Sequence, residues 1–375
     1  HAQRDGRGKG SHDKNATGAD KKKVSLSEKA QMVREYSARG LVLERALELA
    51  GISRSQYYYV KKPGKPGRQA TTTTQRMAEG TMVICDNAEV VQTIEGILKD
   101  PDLQYGYKKM TAALMLAGFL IGARKVYRLM KKSGLLQKRR RLTGRKRVLH
   151  RRVLPIRPLE VLEMDIKYQW VEQYQKNAYI LTIIDTFTRA VLYRYEGYHI
   201  TQHEVRAAWE SLIVNILQPM DLLRQGFTVE IRNDNGPQFV AKMVQDFFAE
   251  NHLNQVFTHA YTPQENGHIE SFHAILSEHL ERFEFYSIEE LTANLDEFYT
   301  KYNTIRLHAS IASLPPLVFW NLFIQGHITS SFTKSYRRVF KVDIPLWELS
   351  GNESLRSFPG KIKPPNTPKY KKVAV

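Results

Sequence analysis

Residues Ala178 to Asp185 read Ala-Tyr-Ile-Leu-Thr-Ile-Ile-Asp, a near-continuous apolar run closed by an acid. Such a run, short and rich in β-branched residues, fits a strand buried on both faces, and that demands a sheet covered on each side. The flanking sequence extends the pattern. Leu159 to Val171 alternates, with Leu162, Met164 and Ile166 on one face. Arg189 to Tyr195 fits the hairpin partner of the apolar run. An amphipathic helix follows over Ile200 to Leu217, then a strand over Phe227 to Arg232 and a helix over Gln238 to Glu250. A short strand over Asn254 to Thr258 precedes helices at Asn266 to Phe283 and Ile288 to Tyr302. This order predicts an α/β core over residues 155–325, a mixed five-stranded sheet flanked by helices.

Upstream the texture is helical. Residues 1–24 are polar and Gly-rich, which predicts a disordered basic tail. The chain opens on His1 rather than Met, which points to a tag remnant, a trimmed start or a fusion junction. Residues 25–62 predict a first block. Ser25 or Ser27 caps a helix to Ala38, Gly40 breaks it, and a second helix ends at Gly51. A third starts near Ser53 and carries Arg54, Gln56, three tyrosines and Lys61. Helix, Gly turn and short helix make a helix-turn-helix pattern, although an ordinary helical hairpin reads the same way. Residues 63–87, with Pro63, Pro66 and a threonine run, predict a linker. Residues 88–136 predict a second block of the same kind, so both blocks are expected to be all-α. Residues 137–154 then form an Arg-rich linker, and 326–375 a basic, partly disordered C-terminal tail.

Charge divides the chain by job. The net charge of +18 resolves into +19 over residues 1–150, −8 over 151–330 and +7 over 331–375. Eleven of the 22 residues from Lys131 to Arg152 are Lys or Arg, and none is acidic. A front this basic attracts a polyanion, and double-stranded DNA is the expected partner. Membrane binding would want a broad apolar helix face, which this stretch lacks, and no apolar run is long enough to span a bilayer. The residues expected to reach DNA are Arg54 and Gln56 in the first block and Lys108, Lys109, Arg124, Lys125, Arg128, Lys131 and Lys132 in the second. Lys138, Arg139, Arg140, Arg141, Arg145, Lys146 and Arg147 in the Arg-rich segment join them. The single cysteine, Cys85, excludes a Cys-rich zinc module and an internal disulfide, and fits a reducing cytoplasm.

Three acids stand out by placement. Asp165 lies inside the first strand, Asp234 just past the fourth in Arg232-Asn233-Asp234-Asn235-Gly236, and Glu270 on a helix. A carboxylate within an apolar strand is costly unless paired or bound to metal. Three carboxylates without a Cys or His cluster suit a hard cation, Mg²⁺ or Mn²⁺. Taken singly, each has a plainer reading: a salt-bridge partner, a turn, a surface acid. Spacing lifts them together, with 35 residues between Asp234 and Glu270. Gly236 is expected to permit the turn beside Asp234. Glu163, Asp185, Glu265 and Glu278 compete for the same roles. Asp185 ends a strand, where an Asp commonly accepts backbone N–H bonds. His268 and His273 flank Glu270 and read as packing residues or as aids to placing a water.

Several stretches together resemble one family. They are Gly51-Ile52-Ser53-Arg54-Ser55-Gln56-Tyr57-Tyr58-Tyr59, Tyr105-Gly106-Tyr107-Lys108-Lys109-Met110-Thr111 and Lys125 to Met130 in the helical part. In the core they are Ile184 to Arg189, Thr262-Pro263-Gln264-Glu265-Asn266-Gly267, and Tyr302-Asn303 with Arg306, His308, Leu314 and Pro316. Over residues 40–320 the chain resembles bacterial insertion-sequence transposases with a retroviral-integrase-like core, of the kind made from two overlapping reading frames. The resemblance implies a ribonuclease H-like fold and two Mg²⁺ ions, with Mn²⁺ able to substitute. It implies DNA cleavage and joining at element ends, a dimer or higher multimer on DNA, and work at the bacterial nucleoid in the cytoplasm. Asp165, Asp234 and Glu270 match the family's catalytic and metal-binding triad. Asn266, Asn303, Arg306 and His308 are expected to support it, bracing the catalytic helix or touching DNA. Many relatives carry a basic residue seven positions past the glutamate; here Ser277 stands there, followed by Glu278. The competing readings are a non-enzymatic DNA-binding repressor or decayed element product, and a stand-alone nuclease. An inert binder has no need of three carboxylates at this spacing, and a nuclease has no need of two helical blocks.

Overall fold

The computed structural model describes residues 24–60, 70–137, 154–222, 227–258, 266–333 and 338–360. The chain divides into two compact units, His1–Ala70 and Thr71–Val375. The first holds α1 (Leu26–Ala38), α2 (Leu43–Ala50) and α3 (Arg54–Tyr57). Capping boxes start α1 and α3, Ser25 with Glu28 and Ser53 with Gln56, and so satisfy N–H groups a helix end leaves open. Gly51 ends α2 at φ 62°, a left-handed conformation that costs glycine little. Val33, Ala46, Leu47 and Ile52 form its small core. α3 is a single turn, so Tyr58 and Tyr59 fall beyond it and are exposed. Lys61 lies outside the described residues.

The second unit opens with strands where a linker was expected. β1 (Thr73–Ala78) and β2 (Thr81–Asp86) form an antiparallel hairpin. Its two turn residues, Glu79 at φ 48° and Gly80 at φ 78°, both take the left-handed values of a two-residue type I′ turn. The threonines that suggested a linker are β-branched strand formers, and Met82-Val83-Ile84-Cys85 completes the hairpin. Then come α4 (Asn87–Leu98), α5 (Tyr107–Leu116), β3 (Phe119–Leu120) and α6 (Ala123–Lys132). β3 pairs with β1, so the second block is helices plus a three-stranded sheet and not all-α. Gly118, at φ 93°, is required here: a Cβ would meet the Met77 carbonyl at 2.6 Å.

The core sheet has the order β6-β5-β4-β7-β8. It comprises β4 (Val161–Val171), β5 (Lys176–Asp185), β6 (Val191–Gly197), β7 (Val229–Asn233) and β8 (Leu253–Phe257). The first three pair antiparallel, and β4, β7 and β8 pair parallel, giving the mixed five-stranded sheet of a ribonuclease H-like core. Strand alternation sends Leu162, Met164, Leu181 and Ile183 to one face, under α7 (Gln202–Leu212) and α9 (Lys242–Glu250). Ile180 and Ile184 face the other way, under α10 (Gly267–Leu280) and α11 (Ile288–Thr304). A one-turn helix, α8 (Pro237–Val240), leads into α9.

The C-terminal segment also departs from expectation. α12 (Pro316–Ile324) is followed by a hairpin of β9 (Ile328–Phe332) and β10 (Arg338–Val342), then 3₁₀ turns at Leu346–Leu349 and Glu353–Arg356. Residues 326–333 and 338–360 are therefore built into the unit. Their apolar residues explain it: Phe340 packs on Phe319 and Phe187, with ring centroids 4.9 and 5.4 Å apart, and Leu355 is buried. Residues 361–375 lie outside the described residues, as do 138–153, which hold Lys138, Arg139, Arg140, Arg141, Arg145, Lys146 and Arg147. No helix among the described residues is long and apolar enough to cross a membrane.

Candidate active site

β4 and β7 run parallel with Glu163 paired to Arg232. Two residues further along each chain stand Asp165, still in β4, and Asp234, just past the end of β7. Asp165 pairs with Thr182 on β5, on the sheet face covered by α10 and α11. It is half-buried, whereas Asp234 and Glu270 are exposed. Its Oδ1 accepts the backbone N–H of Ile166 at 2.8 Å, and His273 Nδ1 lies 3.4 Å from its Oδ2.

Asp234 is held by its loop. Its Oδ1 accepts the Gly236 N–H at 3.0 Å. The buried Asn233 donates to the Asp234 carbonyl at 2.6 Å and accepts from Gln255 Nε2 at 3.0 Å. Asn235 reaches the Thr258 carbonyl past β8. Sequence reasoning passed over Asn233, whose partners on β8 lie over twenty residues away. Gly236 takes an ordinary φ of −57°, so the turn does not require glycine; its bare Cα leaves room for the side chains of Gln238 and Asp234.

Glu270 sits in the first turn of α10, and the start of that helix is held from the sheet. Asn266, at the N-cap, makes no side-chain cap, and its buried Oδ1 has no partner among the described residues. The carboxylate of Glu163, on the same strand face as Asp165, takes over that role. Its Oε2 accepts the N–H groups of His268 and Ile269 at 3.0 and 2.7 Å, and its Oε1 lies 2.8 Å from His268 Nδ1. Negative charge at a helix N-terminus is favourable because unpaired N–H groups and the helix dipole both meet it. Burial pushes the Glu163 carboxyl up to about 7, against the pull of the Ile269 N–H and of Arg189 and Arg232.

The acids feel one another. Although both are exposed by surface area, partial desolvation raises Asp234 and Glu270 from their ordinary values, against the Gly236 N–H in the case of Asp234, and the Asp165 charge raises both further. Like charges gathered this way favour a dication between them, and carboxylate oxygens are the donors Mg²⁺ and Mn²⁺ prefer. Among the described residues, though, no three Asp, Glu, His or Cys side chains converge closely enough to form a finished metal site. Of the competing acids, Asp185 is fully buried and accepts from the N–H groups of Leu159, Phe187 and Thr188 and the Thr188 hydroxyl. Glu278 is exposed two turns along α10. Glu265 lies outside the described residues. Ser277 turns its hydroxyl back to the His273 carbonyl at 2.8 Å.

Of the residues expected to support the site, Asn303, Arg306 and His308 make contacts within the fold. Asn303 exchanges two 2.9 Å hydrogen bonds with the backbone of Val191, tying α11 to β6. Arg306 donates to the Asp102 carbonyl, and His308 meets Tyr302 edge to face with centroids 4.7 Å apart. The residues expected at DNA divide. Arg124, Arg128, Lys131 and Lys132 are exposed on α6, above a buried face of Val126, Leu129 and Met130. Lys125 is turned aside, its Nζ on the Thr73 carbonyl at 2.6 Å and the Thr71 hydroxyl at 3.2 Å. Lys108 is exposed, while Lys109 is half-buried with its Nζ 5.6 Å from the Tyr105 ring. Arg54 pairs with Glu44 at 3.3 Å, and the Gln56 amide is engaged in its capping box.

Family models agree with this layout. An integrase core domain matches residues 155–263, a second integrase core model matches 251–316, and an HTH-like domain matches 86–142. The chain is 24% identical over 278 residues to the uncharacterized 39.2 kDa protein of insertion element IS476 from Xanthomonas euvesicatoria, covering 73% of this chain and 71% of the relative. It is 24% identical over 293 residues to InsK of Escherichia coli (strain K12), provisionally described as the transposase of insertion sequence element IS150, covering 74% and 93%. A chain of the simian T-cell lymphotropic virus intasome, solved with PP2A regulatory subunit B56 gamma, superposes with a TM-score of 0.37 at 14% identity, covering 58% and 70%.

Proposed function

We infer, from an integrase core joined to a helix-turn-helix-like domain, that the chain is an insertion-sequence transposase that catalyses DNA transposition. Asp165, Asp234 and Glu270 are its catalytic carboxylates and would hold two Mg²⁺ ions, with Mn²⁺ a substitute. When bound, such a pair activates a water or a DNA 3′-hydroxyl and stabilises the leaving oxygen of the displaced strand. The observation that supports this most is the strand register. The parallel ladder ends at Glu163 and Arg232, two residues before Asp165 and Asp234, and Glu163 holds the start of α10; both Asp234 and Glu270 feel the Asp165 charge, which supports the reading.

The chain's own residues divide the remaining work. The loop bonds of Asn233 and Asn235 steady Asp234, and His273 lies against Asp165. The exposed cations of α6, with the Arg-rich segment, bind the backbone of element ends and target, where neutralised phosphates release counterions. Two element ends are processed together, so the active assembly is a dimer or a higher multimer on DNA.

The test is direct. Purified chain, Mg²⁺ and labelled duplex bearing the element's ends should yield nicked and joined strands. DNA binding without either product under Mg²⁺ or Mn²⁺ would leave a repressor or a decayed element product as the better description. Cleavage of any duplex without joining would leave a nuclease.

A further inference from the structure

A cavity of about 320 Å³ lies where the helix-turn-helix-like part meets the helix of Glu270. Its volume is at the lower end of the roughly 300–1,000 Å³ of pre-formed ligand sites. α10 lines it with Ile275, Glu278 and Arg282, and Arg306 lines it from just past α11. Asp102, in the turn after α4, and Lys109, on α5, line the opposite side.

Three cations and two acids meet there, and the acids are already engaged. Asp102 is buried and accepts from His279 and Arg282, with Lys301 Nζ 3.6 Å away. Glu278 stands exposed at the rim and is not a free charge. The cations are less well matched. Among the described residues the Lys109 ammonium has neither a hydrogen bond nor an ion pair, only the Tyr105 ring 5.6 Å away. Arg306 donates to the Asp102 carbonyl and has no carboxylate partner among the described residues. Burial first, then the Arg306 charge, pushes the Lys109 ammonium down from its ordinary value. An anion between such groups would offset both effects.

These cations can be reached. Lys109 and Arg306 are half-buried, and neither the Lys109 ammonium nor the two unbonded nitrogens of the Arg306 guanidinium are among the atoms shut off from solvent. The Arg282 side chain is 28% exposed.

We propose that this cavity holds one backbone phosphate of the bound DNA, on the Lys109 ammonium and the Arg306 and Arg282 guanidinium groups, and so fixes how far along the strand Glu270 acts. Charged donors of both kinds bind phosphate strongly. Lys109 belongs to the helix-turn-helix-like part and Arg282 to the helix of Glu270, so one phosphate engages both parts. Ile275 and Arg282 stand five and twelve positions past Glu270, about 8 to 18 Å along the axis at 1.5 Å per residue. One DNA strand carries a phosphate roughly every 3.4 Å, which puts the held phosphate about two to five phosphates from the one attacked. This rests on the reading of the chain as a DNA-handling enzyme.

The experiment measures binding of element-end duplexes by the full chain, without divalent metal. Single phosphates on either side of the cleaved bond are replaced in turn by neutral methylphosphonate. One replacement about two to five phosphates from that bond should weaken binding by the parent roughly tenfold, the scale of a charge-assisted hydrogen bond. Lys109→Met keeps an apolar stem against Tyr105 and removes the charge. It should lose a similar factor on unmodified DNA and nothing further on that modified duplex. Arg206→Gln, on α7 across the sheet, should keep parent affinity and full sensitivity. Thermal melts check folding; if Lys109→Met does not fold, Gln137→Glu, which sets a carboxylate at the exposed rim of the cavity, decides by the same comparison. A parent that tolerates every replacement in that range, or a folded variant that stays fully sensitive to one, would overturn the site while leaving the transposase reading intact. A parent chain that does not bind the duplexes would overturn both.

Discussion

Glu163 Oε2 accepts the backbone N–H of Ile269 at 2.7 Å, which joins the strand that carries Asp165 to the helix that carries Glu270. The bond spans 106 residues of chain, so the distance between two proposed catalytic acids depends on a third acid that performs no chemistry. Glu163→Gln is isosteric but removes the charge that, above about pH 7, meets the helix N-terminus, an interaction of up to about 2 kcal/mol in partly buried settings. Strand cleavage should fall roughly tenfold, which corresponds to about 1.4 kcal/mol, with DNA affinity unchanged. Single-turnover cleavage beside a binding titration checks it. Equal losses in cleavage and binding would mean that Glu163 only supports the fold.

A second carboxylate joins the helix-turn-helix-like part to the core. Asp102, buried in the turn after α4, accepts from His279 Nδ1 at 2.9 Å and from Arg282, with Lys301 Nζ 3.6 Å away. Burial works to raise its carboxyl, but the bonds from His279 and Arg282 together outweigh burial and hold it well below its ordinary 3.8. The sign follows: an acid depressed in the fold contributes stability that is fully present above its unfolded value and is lost as pH falls toward its folded one. Denaturant midpoints should therefore drop as pH goes below 3.8. Asp102→Asn should cost about 2 kcal/mol at neutral pH, since it removes the charged acceptor of the hydrogen bonds from His279 and Arg282, and should flatten that acid limb. A parent-like midpoint in Asp102→Asn would refute the assignment.

On α6 two neighbouring cations should behave differently. Arg128 is exposed, whereas Lys125 is tied to the Thr71 hydroxyl and the Thr73 carbonyl. Arg128→Ala should weaken DNA binding and flatten its salt slope by about 0.9, the share of one phosphate contact. Lys125→Ala should leave the slope near the parent's and instead loosen the β1–β2 hairpin, read as faster amide exchange at Thr73 and Thr74. The reverse pattern would show that the sequence-based choice of Lys125 for DNA was right.

These contrasts mark what a sequence can reveal. The core was legible because its strands alternate or run apolar, as Leu162 and Met164 do and as Ile180 to Ile184 do, and burial enforces that pattern locally. The hairpin at residues 73–86 was hidden because threonines serve loops and strands alike, and its type I′ turn is Glu-Gly rather than Asn-Gly. The tail was hidden because its basic residues outweighed Phe340 and Leu355 in the reading. The joins by Glu163 and Asp102 were out of reach for another reason: their partners lie 105 and 177 residues away, and no local period records them.

The choice of catalytic glutamate is the sharpest remaining test. Glu270 is in the first turn of α10 and feels the Asp165 charge. Glu278 is eight positions on, about 12 Å along the axis at 1.5 Å per residue, too far to share a metal pair with Asp165. Asp185 is enclosed and occupied by backbone N–H groups, so its loss removes a fastening of the β5–β6 turn. Asp165→Asn, Asp234→Asn and Glu270→Gln should each abolish cleavage and joining while binding DNA within a few-fold of the parent, because removing a ligand of a two-metal site removes activation of the nucleophile. Asp185→Asn should lower the melting temperature more than it lowers activity, and Glu265→Gln and Glu278→Gln should keep most activity. Mg²⁺-dependent cleavage, a binding titration and a thermal melt on all six variants give the answer. Ordinary cleavage by Glu270→Gln, or total loss in folded Glu265→Gln, would move the third carboxylate to a different residue and with it the metal pair.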